Sequence, residues 1–487
     1  MDKYLSDAAH FPGGHAAGIA IPRALGEIPE IVRRAASLLV IGAQSSLTGG
    51  ATPMGEVVLS TEKLNRILEI GAGFIRVEAG VPVAVMQDAL AAAGAWFPPA
   101  PTFTGAFAGG IVATNAAGAA TFRHGAVRAW VQALTAVLAD GSAIALRRGE
   151  ARARDLGVPV PSYVMPDVVK VSAGYYAAPD MDAIDLFIGS EGTLGVITTV
   201  TFRTLSPVPT RALAFVPCRS ESDALALVAE LRQDPAVAAI EHMDRRCLEI
   251  VAEDGADRRS EVRVPEGTGL ALLVQLELPP GTTEAQAFDS IQESLSSTGA
   301  RTPLARVCRL LHAHGVMDDT EMALPGNPRR AEQLIALREA VPAGVNQRVG
   351  RAQQAIDPRI AKTAADMIVP FERFAEMMEI YRAGFSSRGL DYAIWGHISD
   401  GNVHPNVLPR SYEDVERGKD AIRDFGREAA RLGGCPLAEH GVGRNPVKQA
   451  LLRDLYGDEG IEQMRAVKRA LDPEWKLAPG VIFPKTP

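Results

Sequence analysis

The chain has 487 residues, more than a single hydrophobic core usually organises, so more than one domain is expected. Hydrophobic residues make up 47% and charged residues 22%, the composition of an ordinary globular protein. A net charge of −8 argues against a nucleic-acid partner, and no apolar run reaches the length of a membrane-spanning helix.

The first residues, MDKYLSDAAHFPGG, have neither a basic region nor an apolar stretch of the kind that opens a secretory signal, which makes the cytoplasm the expected compartment. Cys218, Cys247, Cys308 and Cys435 form no C-x-x-C pair. An iron–sulfur cluster, a zinc ribbon or a disulfide framework is therefore not expected, and the thiols read as buried or inert.

In chain order, residues 21–39 predict a short extended piece and then a helix, with Ile28, Ile31, Val32, Ala35 and Leu38 at helical spacing. Leu38 to Ile41 then read as a buried strand running into IGAQSSLTGG. Small residues and glycines let several backbone N–H groups converge on one anion, and Ser45, Ser46 and Thr48 add hydroxyls. Diphosphate suits that geometry. The loop is neither a Walker A loop nor a G-x-G-x-x-G fingerprint, and a plain glycine-rich turn competes with the functional reading.

Further strands follow in VVLSTEKLNRILEI, then a helix from Val83 to Ala93 closed by Gly94. The segment 98–125 is rich in small residues, and Gly109, Gly110, Ala113, Ala116, Ala117 and Gly118 make a surface that a flat ring can approach; Thr114 and Asn115 supply hydrogen bonds. VQALTAVLADGSAIAL predicts a hairpin turning at Asp140-Gly141. LFIGSEGTLGVITTVTFRTLSP, residues 186–207, predicts strand, glycine-rich turn and strand.

Beyond residue 208 strands and helices alternate, as in an antiparallel sheet with helices on one face. GLALLVQLEL is a buried strand, PRRAEQLIALREAV a helix, and DMIVPFERFAEMMEIYRAGFSSRG passes from strand to helix. In WGHISDGNVHPN, Asp400-Gly401 predicts a two-residue hairpin turn. Counting outwards, Ser399 then faces Asn402, Ile398 faces Val403 and His397 faces His404. Opposed residues have Cβ atoms roughly 4.5–5.5 Å apart, close enough for two imidazoles to share one divalent metal. A histidine pair satisfied in the core, with no metal, is the competing reading. A long amphipathic helix leads from the hairpin to AEHGVG, which offers Glu439 as a third ligand and leaves His440 as a base.

Taken together, IGAQSSLTGG, PPAP…AGGIVATNAAG, VLADG, GSEGTLGVIT, GHISDGNVHPN, EHGVG and LDPEWKLAPGVIFP resemble the FAD-dependent 2-hydroxyacid dehydrogenases of the vanillyl-alcohol-oxidase/p-cresol-methylhydroxylase superfamily, over nearly the whole chain. That group includes D-lactate dehydrogenase, D-2-hydroxyglutarate dehydrogenase and the flavin subunit of glycolate oxidase. The resemblance implies an α+β fold: a two-subdomain PCMH-type FAD-binding domain over 1–207, an α+β substrate (cap) domain with an antiparallel sheet over 208–430, and a segment 431–487 returning to the FAD domain.

It also implies roles for residues. Gly42, Ala43, Gln44, Ser45, Ser46 and Leu47 would hold the FAD pyrophosphate. The stretch from Pro101 and Thr102 through Gly109, Gly110, Thr114 and Ala116 to Gly118 would line the flavin ring and ribityl chain. Glu191, Gly195 and Ile197 would meet the adenosine side. His397, His404 and Glu439 would bind zinc, manganese, iron or cobalt, His440 would act as base, and Asn406 would hydrogen-bond flavin or substrate. Arg338 would face the substrate carboxylate, with Arg348, Arg351 and Lys362 as rivals. Two departures stand out: Ser399 occupies a usual glycine position, and the closing APGV lacks the Asn and Lys of the usual NPGK-type end.

The activity so implied is oxidation of a D-2-hydroxy acid, with an unidentified electron acceptor as partner. Peripheral membrane association and a homodimer are compatible with it. The alternatives are an alkyl-dihydroxyacetonephosphate synthase-like enzyme or other alcohol oxidase on the same fold, and a non-catalytic flavin subunit that passes electrons.

Overall fold

Four apolar residues ahead of a glycine, Leu38–Ile41, form a parallel strand in the computed structural model, which describes residues 2–99, 101, 103–295 and 301–484. The chain divides into two compact units, one of residues 1–121, 125–208 and 433–487, the other of residues 122–124 and 209–432.

The first unit holds two sheets. In a three-stranded parallel sheet, Val57–Ser60 lies between Gly18–Ala20 and Leu38–Ile41. The helix Ile28–Arg34 packs beside it by burying Ile28 and Val32 with Leu38 and Leu59, the helical spacing anticipated from sequence. The second sheet has five antiparallel strands in the order Ile67–Gly71, Phe74–Glu78, Val196–Arg203, Val131–Val137, Ala143–Arg147. Its last pair is the hairpin predicted around Asp140-Gly141, with Val137 opposite Ala143.

One expected strand is absent. Residues 186–189 do not extend; Ala183–Leu186 is a 3-10 turn capped by Asp182, whose side chain accepts from Ile184 N. The reason lies in the carbonyls. Arg128 donates to the Asp185 carbonyl at 3.0 Å and to its carboxylate at 2.8 Å, and also reaches the Ile188 carbonyl. Groups that a sheet ladder would need are thereby taken up by a guanidinium.

The second unit is built on seven antiparallel strands, in the order Glu321–Ala323, Thr210–Cys218, Leu270–Leu278, Val237–Met243, Tyr392–His397, Asn402–Val407, Met367–Ile368. Helices cover it. Pro328–Ala355 runs for 28 residues, well past the helix expected over PRRAEQLIALREAV, and carries Pro342 inside it. A proline there removes one helical hydrogen bond and costs roughly 3 kcal/mol. The buried stripe Leu334, Leu337, Val341, Val345, Val349 and Ala352 continues through the proline at helical spacing, and its burial offsets that loss.

The four cysteines lie buried and form no disulfide among the described residues. Among the described residues no helix is long and apolar enough to cross a membrane.

Candidate active site

In the first unit a cavity opens where the strand Leu38–Ile41 ends. Gly42, Ala43, Gln44, Ser45, Ser46 and Leu47 line one part of it; Pro101, Gly109, Gly110, Thr114 and Ala116 line another; Glu191, Gly195, Ile197, Glu439 and His440 complete it. Of the cofactor residues assigned from sequence, Gly118 is not part of this wall and Thr102 lies outside the described residues.

The loop from 42 to 47 is held from behind. The carbonyls of Gln44 and Ser46 accept from the N–H groups of Ala8 and Ala9, and the Gln44 amide donates to the Ser6 carbonyl. Gln44 itself sits at φ +54°, an uncommon conformation for a residue with a Cβ. Among the described residues no protein acceptor takes up the N–H groups of Ala43 through Leu47. Such a row of donors fits an anion.

The short helix Ala108–Ala113 presents the second wall. A Cβ on Gly109 would sit 2.7 Å from that of Ala79, so only glycine lets the helix approach this closely. Asn115, expected to serve a ligand, is engaged within the fold: its side-chain oxygen accepts from Arg128 N and its amide donates to the Val171 carbonyl. The Thr114 hydroxyl donates to the Gly110 carbonyl.

Glu439 lies on this cavity as a buried carboxylate. The fully buried Lys170 brings its Nζ to 2.6 Å from Glu439 Oε1, and Ser172 Oγ donates to the Glu439 carbonyl. His440, next in sequence, is half-buried on the same wall, and the two residues carry ligand atoms within 4.8 Å of each other. Glu191, expected at an adenosine, has both oxygens engaged 2.8 Å from the N–H groups of Val442 and Gly443. Burial pushes its pKa up to about 7 against the pull of those two hydrogen bonds.

In the second unit the hairpin is present with a different register. Ile398–Asp400 forms a 3-10 turn closed by Gly401 at φ +84°, so four residues make the turn rather than two. His397 therefore faces Asn402, Gly396 faces Val403, and His404 faces Trp395. The expected direct opposition of His397 and His404 is corrected to a diagonal one on the same face, and the rings still lie 5.5 Å apart between centroids, nearly perpendicular. The turn is pinned rather than free: Ser399 Oγ accepts from Ile240 N, the Ser399 carbonyl accepts from Arg232, and a Cβ on Gly401 would run into the Val369 carbonyl.

Each imidazole has a carboxylate at Nδ1. Glu241 is directly opposite His397 in the next strand and accepts from His397 Nδ1 at 2.8 Å. Asp366 places Oδ1 3.5 Å from His404 Nδ1 and 3.2 Å from the Asn402 amide. Burial would raise the Glu241 pKa, but Arg338 and His397 outweigh it and hold the carboxyl well below its usual range. An ionised carboxylate only accepts, so His397 carries its proton on Nδ1 and keeps Nε2 as a ligand nitrogen.

Arg338 was expected to meet a substrate carboxylate. Instead it is buried, with Nε and Nη2 at 3.0 and 2.8 Å from Glu241 and Nη1 at 3.0 Å from Glu339. Asn406 lies on the same sheet face as His404, donates to the His404 carbonyl at 2.8 Å, and has its buried side-chain oxygen without a hydrogen-bond partner among the described residues.

Residues 209–482 match the family of FAD linked oxidases by its C-terminal domain, and residues 16–147 match an FAD binding domain. The chain belongs to the FAD-linked oxidase family.

Among the relatives of this FAD-linked oxidase is a D-lactate dehydrogenase of Archaeoglobus fulgidus, 30% identical over 91% of this chain and 85% of the relative. A D-2-hydroxyglutarate dehydrogenase of Xanthomonas citri pv. viticola is 28% identical over 96% of this chain and 89% of its own length. The glycolate oxidase subunit GlcD of Bacillus subtilis is 28% identical over 91% and 83%. An alkyldihydroxyacetonephosphate synthase structure superposes with a TM-score of 0.62 at 14% identity, over 95% of this chain and 75% of that one, a likeness of fold. The protein is an FAD-dependent oxidoreductase.

For such an oxidase the cavity fits FAD in its donors. The open N–H row of residues 43–47 suits a diphosphate, and the small side chains of Gly110 and Ala116 leave room for a planar ring. Sequence reasoning missed Lys170, Glu241 and Asp366. None sits in a recognisable motif, and each reaches its partner across a long stretch of chain.

Proposed function

We propose that this FAD-linked oxidase oxidises a D-2-hydroxy acid to the corresponding 2-oxo acid. The observation that carries the reading is the buried pair His397 and His404, each with a carboxylate at Nδ1. Metal-binding imidazoles are commonly oriented in this way, with the second ring nitrogen left for the cation. The names of the relatives support the substrate class, since D-lactate and D-2-hydroxyglutarate are both D-2-hydroxy acids.

Of the residues assigned from sequence, His397 and His404 would each offer a ring nitrogen to a divalent cation. Such a cation, when bound, lowers the pKa of a coordinated hydroxyl. His440 takes the hydroxyl proton as general base. The Cα–H bond gives up its electron pair as hydride, for which bound FAD supplies the acceptor at N5. The acid thus loses two electrons and two protons, and an external partner would be their final acceptor. Asn406 offers its side-chain oxygen to substrate or flavin. Residues 42–47 would hold the diphosphate, and the wall of residues 109–116 would hold the ring. Arg338 acts through Glu241 on His397.

Purified protein tested anaerobically against a panel of D- and L-2-hydroxy acids, with and without chelator, checks the reading. The expected result is a yellow protein whose 450 nm absorbance bleaches with a D-acid and recovers with an electron dye. A flavin that no 2-hydroxy acid reduces would overturn it.

A further inference from the structure

The Glu439–Gly443 loop is gripped at a point two residues beyond His440. Glu191 Oε1 accepts from Val442 N and Oε2 from Gly443 N, both at 2.8 Å, so one carboxylate takes up two consecutive backbone donors. Two consecutive backbone donors converging on one side chain fix the loop at both residues. Glu191 is itself held in an uncommon conformation, at φ +51°, by its own N–H donating to the Ala113 carbonyl at 2.7 Å.

The loop has no slack. A Cβ on Gly441, at φ +73°, would fall 2.9 Å from Glu191 Oε1. A Cβ on Gly443 would meet Thr48 Oγ1, and Arg444 N donates to the Thr48 carbonyl. Glu191, Thr48 and His440 all line the same cavity.

We propose that Glu191 is a positioning residue for His440: by clamping Val442 and Gly443 it sets where the imidazole stands over the flavin cavity. The inference rests on the reading of His440 as the base. A base displaced by about 1 Å can lose on the order of 100-fold in rate while substrate binding is kept.

The test is single-turnover flavin reduction in Glu191→Gln, which preserves shape but turns an amide NH2 towards one of the two donors. Gly441→Ala, which presses on the clamp from the other side, serves as the second variant. The expected result is full flavin content, an unchanged KM within about threefold, and a reduction rate lowered roughly 10- to 100-fold in both. Glu191→Asp, which keeps the charge on a shorter arm, should lie between Gln and wild type. A wild-type rate in Glu191→Gln, a rise in KM alone, or loss of flavin from both variants would overturn the proposal. His440→Asn separates the two claims: if it reduces flavin as fast as wild type, the assignment of the base falls. If it is dead while Glu191→Gln is unimpaired, only the clamp falls.

Discussion

Glu241 lies directly across the sheet from His397, accepts its Nδ1 proton at 2.8 Å, and holds Arg338 at 2.8 Å with its other oxygen. One buried carboxylate thus fixes the tautomer of an imidazole and is itself kept ionised by a guanidinium. Partners of this kind typically govern metal affinity by 10- to 100-fold. Glu241→Gln is expected to weaken metal binding by about 10-fold while flavin content stays the same. Titration against a chromophoric chelator, alongside the 450 nm to 280 nm absorbance ratio, checks it.

The same relationship makes Arg338 a matter of stability. Arg338→Met would leave Glu241 charged and buried with one partner fewer, a change that costs about 3–5 kcal/mol for pairs of this type. Combining it with Glu241→Gln removes the stranded charge, so the double variant should be more stable than the sum of the single effects. Thermal unfolding of the four proteins measures the coupling. A role in holding the substrate carboxylate would instead appear as a raised KM in a protein of normal stability.

Asp244 gives a pH signature. Its buried carboxyl caps the helix Arg245–Glu253 through Cys247 N and accepts from Ile394 N, and burial pushes its pKa up from 3.8 to about 6 against those bonds. Between those values the unfolded chain has released the proton and the folded chain still holds it. Stability from this group is therefore fully present below pH 3.8 and is lost as pH rises through 6. The gap corresponds to about 3 kcal/mol. Asp244→Asn should lack this dependence, so the difference in urea midpoint between variant and wild type should move in the variant's favour from pH 4 to pH 7.

The closing APGV leaves a conformational mark. Ala478 sits at φ +43°, buried, with its N–H donating to the Leu38 carbonyl. Asparagine and glycine tolerate this region better than alanine, by roughly 1 kcal/mol. Ala478→Gly is expected to raise the melting temperature by about 1 °C, as differential scanning calorimetry would show.

Most elements of this protein are legible in its residues because their causes are local. The buried strand Leu38–Ile41, the helix Ile28–Arg34, the hairpin around Asp140-Gly141 and the strand Leu270–Leu278 follow from periodicity and turn chemistry. The resemblance to the FAD oxidases likewise rests on short runs of residues that sit together in sequence. What only the tertiary structure decided depends on distant groups. The hairpin register shifted because Ile240 and Arg232 capture Ser399 and widen the turn, which no count along 395–406 can reveal. Arg338 turned to Glu241, 97 residues away, because a guanidinium taken from water needs a counter-charge within reach. Lys170 reached Glu439 for the same reason. A buried charge must be matched, and the partner is whichever group the fold brings near, so sequence can announce the need for one without naming it.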